Sequence, residues 1–373
     1  MAMVITGTGS YLPCRIVDNH ELEATTTDFD RARAECTLHD WVAGRIGVHT
    51  RHRVAEGEGT AAMATHACRQ ALDDAELTGA DIDLIVLSTF TSDHRLPQSI
   101  SLVQYELGST AKCIQIEAAC AGFVDGLAVA TAVMEQQGYR YALVAHSDVV
   151  SAVSDPDLFL MQAIFADGAG AVVVENDPTA PGGVLGVRTW TDGSKSDWLY
   201  AGGGTLSPIT PERWVDRSHF LRIDTQAIFG FAVAKMAESL EVVLADSGHG
   251  MADVDWVVAH QTGVNITRAV AERVGLADEQ FLMTLSHTGN TSGATIPIAL
   301  DHFNRLGVLG HGDLVALPTV GAGMAWGAAL CSWTETRVGR EARAALDDRL
   351  VIDLTDARAD GVNGPLNDPV VVA

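Results

Sequence analysis

The chain has 373 residues, 47% of them hydrophobic, and sets 24 basic against 48 acidic side chains for a formal net charge of −24. That balance, with no Lys/Arg cluster, excludes a phosphate-backbone partner, so no nucleic acid is expected. No apolar run reaches the ~18 residues of a membrane span and the opening residues do not read as a signal peptide, so no membrane association is expected and a cytoplasmic protein with reduced thiols is.

In chain order, apolar periodicity predicts a helix over 61–72, then the strand Ala80-Asp-Ile-Asp-Leu-Ile-Val-Leu-Ser88. A second strand-like passage over 112–120 delivers Cys120 to the start of a helix over 121–137, which Gly138 stops. A glycine-rich run, Phe165-Ala-Asp-Gly-Ala-Gly170, closes this half, and turn residues near 175–183 mark a join. The second half repeats the first. A helix and then Ala252-Asp-Val-Asp-Trp-Val-Val-Ala-His260 match residues 61–90, a passage over 280–290 matches 112–120, and Val320-Gly-Ala-Gly323 closes it. A loop over 193–211 is long enough to border a site. The expected organisation is α/β layers in two duplicated halves, residues 1–178 and 179–337, followed by a tail over 338–373 with no clear element.

Cys120 stands apart among the six cysteines. At a helix start, unpaired N–H groups and the helix dipole favour a thiolate, and such a position is expected to lower the ordinary value of ~8.5 by one or more units. Cys14, Cys36, Cys68, Cys113 and Cys331 read as small core residues. No Cys-x-x-Cys pair exists and the histidines are scattered, so no metal is expected. The short glycine runs lack G-x-G-x-x-G spacing and read as tight turns, not a dinucleotide site. His260 ends a strand at His260-Gln-Thr-Gly, before a helix over 264–274. Asn290 lies between strand and helix in Ser286-His-Thr-Gly-Asn290-Thr-Ser, and facing halves would bring both to Cys120.

Over about residues 1–335 the chain resembles the thiolase superfamily, specifically β-ketoacyl-acyl carrier protein synthase III. The residues that carry this are Gly7-Thr-Gly-Ser-Tyr-Leu-Pro13, Trp41-Val-Ala-Gly-Arg-Ile-Gly47, Ala118-Ala-Cys-Ala-Gly-Phe123, His260-Gln and Gly289-Asn-Thr-Ser292, with the two glycine-rich closures. The resemblance implies a five-layered αβαβα thiolase-like fold, a homodimer, and a catalytic triad of Cys120, His260 and Asn290. It implies an oxyanion hole from the backbone N–H groups of Cys120 and Gly323. It places Trp41, Arg45, Phe159, Phe229 and Gly263 at the coenzyme A or pantetheine site, and Leu96 where relatives put an acyl-limiting phenylalanine from the dimer mate. The implied substrates are coenzyme A or phosphopantetheine thioesters, from acyl-CoA or an acyl carrier protein, with no tightly bound cofactor.

The chain departs from the family at several of these positions. The usual His-Gln-Ala-Asn is His260-Gln-Thr-Gly263, Phe159 replaces an arginine, Asn265 replaces a carrier-docking arginine, and Leu96 is smaller than phenylalanine. These changes point toward a specialised, secondary-metabolic member. Decarboxylative Claisen condensation is the leading expectation. Transfer of an acyl or malonyl group to a hydroxyl or amine, and an inactive partner subunit, remain open alternatives.

Overall fold

The computed structural model describes residues 2–347. The first half supplies β1 (Met3–Tyr11), β2 (Arg15–Asp18), β3 (Thr50–Arg53), β4 (Leu84–Ser88), β5 (Lys112–Ile116), β6 (Tyr141–Val149) and β7 (Asp167–Asn176). The second supplies β8 (Gly183–Thr191), β9 (Leu199–Ala201), β10 (Leu221–Ile223), β11 (Trp256–Val257), β12 (Leu314–Gly321) and β13 (Ala325–Ser332). One sheet runs β1-β7-β6-β4-β5 and the other β8-β13-β12-β11. The duplication is visible in that order: β1, β7, β6 and β4 correspond to β8, β13, β12 and β11. The equivalent of β5 is reduced to a parallel bridge between Val257 and Phe281.

The central strands are covered on both faces and read as continuous apolar runs; every residue of Leu84-Ile-Val-Leu-Ser88 is buried. Between the sheets lie the helices Gly122–Gln137 and Thr295–Arg305, and their Phe123, Leu127, Ile296 and Leu300 form one core with Val86, Val144 and Leu317 of the two sheets. Each such side chain contributes about 1.5–3 kcal/mol on burial. The helices Thr60–Asp74 and Thr225–Asp246 cover the outer faces through separate cores, completing the αβαβα layers.

Gly138, at φ 69°, ends the first central helix as the sequence pattern predicts. The strand expected over Trp256–Ala259 is shorter, because only Trp256 and Val257 pair with β12 in register. The tail begins as a helix, Arg337–Asp347, where no element was expected. It is docked by Val338 N–H on Asp74 Oδ1 at 2.8 Å and by Arg343 Nη2 on Val308 O at 3.2 Å. The remainder of the expected tail, 348–373, lies outside the described residues.

Two arginines on β3 are buried without facing an acid at hydrogen-bond distance. Arg51 donates to Val17 O and Ala163 O at 3.2 and 3.0 Å, and Arg53 to Phe165 O and Gln162 O at 2.6 and 3.0 Å. Together they hold the short helix Phe159–Ile164 against the β2–β3 ribbon. Burial pulls Arg51 down to about 10.

Candidate active site

Cys120 sits in the 3-10 turn Ala119–Ala121, just ahead of the helix Gly122–Gln137. Ala119 holds φ 42° and Ser292, across from the thiol, φ 59°, a region that costs a non-glycine residue about 1–3 kcal/mol. Such strain persists where surrounding contacts over-determine it, and both residues flank the thiol. Ser292 Oγ donates to Cys120 Sγ at 3.6 Å, and Thr319 Oγ1 donates to Cys120 O at 2.8 Å. A Cβ on Gly321 would lie 2.9 Å from Cys120 N, so the β12–β13 hairpin packs backbone to backbone on the nucleophile turn. Gly323, the other expected oxyanion donor, is in the turn of that hairpin at φ 128°.

The expectation of a depressed thiol value is corrected. Burial pushes Cys120 up to about 12, Asp148 adds to the rise, and the Ser292 hydrogen bond opposes it. The helix start is present, but dry surroundings outweigh it. Burial thus favours the neutral thiol, and Cys120 lines a cavity.

His260 follows β11, its N–H bonded to Pro318 O at 2.9 Å. Its Nδ1 lies 2.8 Å from Thr295 Oγ1, and its Nε2 is buried with no partner among the described residues. Burial, then the charge of His146, pulls it down to about 3, so the ring is neutral at pH 7. Asn290 bridges the halves: its N–H donates to Ile164 O and its carbonyl accepts from Ala166 N, both at 2.9 Å. Its Oδ1 accepts from Ser292 N–H at 2.8 Å, which leaves the Nδ2 amide as the end with donors to offer. His260 and Asn290 are 1% and 3% exposed, so neither acts as a surface residue.

Cys120, His260 and Asn290 line one cavity of roughly 240 Å³. Its walls are apolar, with Ile46, Leu160, Ile164, Ile223, Ile228 and Ile266 prominent, and Arg45 is the one charged lining residue. Of the other sequence-predicted residues, Arg45, Phe229 and Gly263 line it too. Trp41 and Phe159 do not reach it; they pack edge to face at 5.5 Å with Phe29 beside them, and the Arg45 guanidinium lies 5.3 Å from the Trp41 ring centroid. Asn265 Nδ2 donates to Arg45 O at 2.7 Å, and Arg268 is turned toward Asp278. Leu96 is 85% exposed and does not line this cavity. Among the described residues no group of His, Cys, Asp and Glu is arranged to hold a metal ion.

Ser292, Thr295, Thr262 and the wall residues from 223 to 228 were not singled out in the sequence, whereas Leu199 lies in the stretch 193–211 that was expected to border a site. Only Ser292, inside the Gly-Asn-Thr-Ser motif, carried a local signal.

Models of 3-oxoacyl-[acyl-carrier-protein] synthase III match residues 114–193, and that family's C-terminal model matches 244–333. The β-ketoacyl-[acyl-carrier-protein] synthase III of Dinoroseobacter shibae is 37% identical over 335 residues, 88% of this chain and 98% of the relative. The chain belongs to the synthase III family. The family is of the acyltransferase class, and its thiolase fold is the one described above. The synthase III of Aquifex aeolicus superposes with a TM-score of 0.80 at 31% identity, covering 89% of this chain and 100% of that one. A priming β-ketosynthase from the R1128 polyketide pathway also gives 0.80, at 29% identity over 89% of this chain and 97% of its own. No helix among the described residues is long and apolar enough to cross a membrane.

Proposed function

We propose that this synthase III-family chain loads an acyl group from acyl-CoA or an acyl carrier protein onto Cys120. It then extends that group by decarboxylative Claisen condensation with a malonyl-type thioester, in polyketide or related secondary metabolism. The observation that carries this reading is the meeting of a thiol, a neutral imidazole and a carboxamide on one apolar cavity. Likeness to a polyketide priming enzyme and the altered mouth at Phe159, Gly263 and Asn265 support the metabolic setting.

In the first half-reaction Cys120 Sγ attacks the thioester carbonyl, and the thiol proton passes through His260 Nε2 to the departing coenzyme A sulfur, so the imidazole ends neutral. Backbone N–H groups of Cys120 and Gly323 stabilise the oxyanion, each by about 3–4 kcal/mol. In the second, the malonyl carboxylate leaves as CO2, and its electron pair forms an enolate that His260 Nε2–H and Asn290 Nδ2 hydrogen-bond. The carbanion attacks the acyl carbon, and Cys120 departs as a thiolate that takes a proton from water to restore the thiol. Thr295 Oγ1 touches both His260 Nδ1 and Ser292 O, at 2.8 and 3.1 Å. That hydroxyl can accept from Nδ1–H, which leaves the Nε2 lone pair needed first, or donate to Nδ1, which suits the Nε2–H needed second. Between the two steps Nδ1 gives a proton to water entering the cavity and Nε2 takes one from it.

At the mouth, Arg45 meets coenzyme A phosphate, Trp41 and Phe159 offer aromatic edges, and Phe229 and Gly263 border the pantetheine arm. The protein works in the cytoplasm as a homodimer, in which Leu96 of one copy limits the acyl pocket of the other. Two donors without a carboxylate favour condensation over transfer to an alcohol or amine. Mass spectrometry after exposure to an acyl-CoA panel should show the acyl mass on Cys120, and later addition of a malonyl thioester should release CO2. A product that keeps the malonyl carboxylate would establish the transfer reaction instead.

A further inference from the structure

Behind the nucleophile lies a second histidine that the proposed chemistry does not use. His146 and Asp148 share a face of β6, and both are fully buried. His146 Nε2 is 2.7 Å from Asp148 Oδ2, while Oδ1 accepts from Thr89 Oγ1 at 2.9 Å and from Phe90 N–H and Thr91 Oγ1 at 3.0 Å. The carboxylate is fully engaged. His146 Nδ1, by contrast, has no hydrogen-bond partner among the described residues. A buried polar atom left so costs about 1–3 kcal/mol, which calls for a reason.

The ring supports both segments that carry the site. A Cβ on Gly293 would come 2.4 Å from His146 Cε1 and 2.5 Å from Nδ1, and one on Gly122 would meet Cε1 at 3.1 Å. Gly293 belongs to the turn Ser292–Ala294, whose first residue donates to Cys120 Sγ. Gly122 opens the helix that follows Cys120. Charge links the same groups: Asp148 pushes the Cys120 thiol up, and His146 pushes His260 down.

We propose that His146, clamped by Asp148, is a positioning residue for the nucleophile: its ring seats the Ser292–Ala294 turn, and the hydrogen-bonded pair sets how readily Cys120 reacts. The inference rests on Cys120 being the nucleophile. The titratable groups around the ring are Asp148 on its own strand, Cys120 at the helix turn and His260 after β11. Its register neighbours, Ser88 on β4 and Gly170 on β7, carry no charge, nor does Gly293 above.

The test is the rate of Cys120 alkylation by iodoacetamide against pH, read by intact mass on the full chain with His146→Gln and Asp148→Asn. Loss of the imidazole leaves the Asp148 charge unshielded and should slow alkylation near pH 6–7 about threefold, half a pH unit in midpoint. Loss of the carboxylate charge should speed it by a similar factor. Opposite signs support the proposal; changes of one sign, or superimposed profiles, overturn it, because a merely structural pair would affect both variants alike. Should either variant fail to fold, ¹⁵N-histidine spectra of the unsubstituted protein decide: alkylating Cys120 should move the His146 ring signals, and unmoved signals overturn the proposal. If Cys120 gains no acyl mass from the acyl-CoA panel, the nucleophile assignment itself fails, and this inference fails with it.

Discussion

In the first half the chain leaves β5 along a half-exposed edge and turns through Ala119–Ala121 to present a thiol. In the second, the matching passage leaves the bridge at Phe281, stays almost wholly buried through Asn290 and turns through Ser292–Ala294 to present an amide. One junction is thus finished by the protein's own packing and the other has an open side. The difference teaches where a fixed reaction ends and adjustable surroundings begin. The amide and imidazole are held by hydrogen bonds within the fold, whereas the thiol follows an edge strand.

Four substitutions or conditions bear on this contrast. The largest effect is expected for Cys120→Ala: without the sulfur no acyl mass should be gained, a loss of at least about a thousandfold in turnover. Acylation persisting at another residue would end the assignment. Asn290→Ala should cut condensation by about 10²-fold while leaving acyl loading largely intact, since it removes one preorganised donor to the enolate. Equal loss in both steps, followed by CO2 release and loading kinetics, would mean that the two junctions are not chemically separate.

Acidification comes third. His260 is held below its ordinary value of 6.5, so below that pH the unfolded chain binds a proton that the native one refuses until about 3. Native stability should therefore fall as pH drops through this window, by up to about 1.4 kcal/mol per pH unit from this residue. A His260→Asn protein should show a shallower slope in urea titrations at pH 4–7, and identical slopes would refute the assignment. The smallest effect is expected for Ser292→Ala. Its hydrogen bond favours the thiolate, so its loss should slow Cys120 alkylation about fivefold, the worth of roughly 1 kcal/mol.

Much of this was legible in the sequence. The repeat of helix then strand at 61–90 and 232–261 foretold two equivalent sheets, and the helix over 264–274 has the predicted bounds because its apolar spacing is local. Motif resemblance pointed to Cys120, His260 and Asn290, which line one cavity. The thiol's environment was not, since desolvation arises from segments as distant as Ser292 and Thr319. Nor were the walls from Ile223 and Ile228, which reach the cavity only when the second half folds over the first. Trp41 packs edge to face with Phe29 and Phe159, and the contact with Phe159 joins residues more than a hundred positions apart, which periodicity does not encode.

The buried arginines of β3 have a consequence for behaviour in brine. Surface pairs such as Arg188 with Asp246 stand in solvent and weaken as ionic strength rises, with a screening length of about 8 Å at physiological salt. Arg51 and Arg53 instead grip neutral carbonyls behind the wall that carries Leu160 and Ile164, where dissolved ions do not reach. Salt should thus weaken the pairs on this acidic protein's surface while leaving the shape of its cavity unaltered.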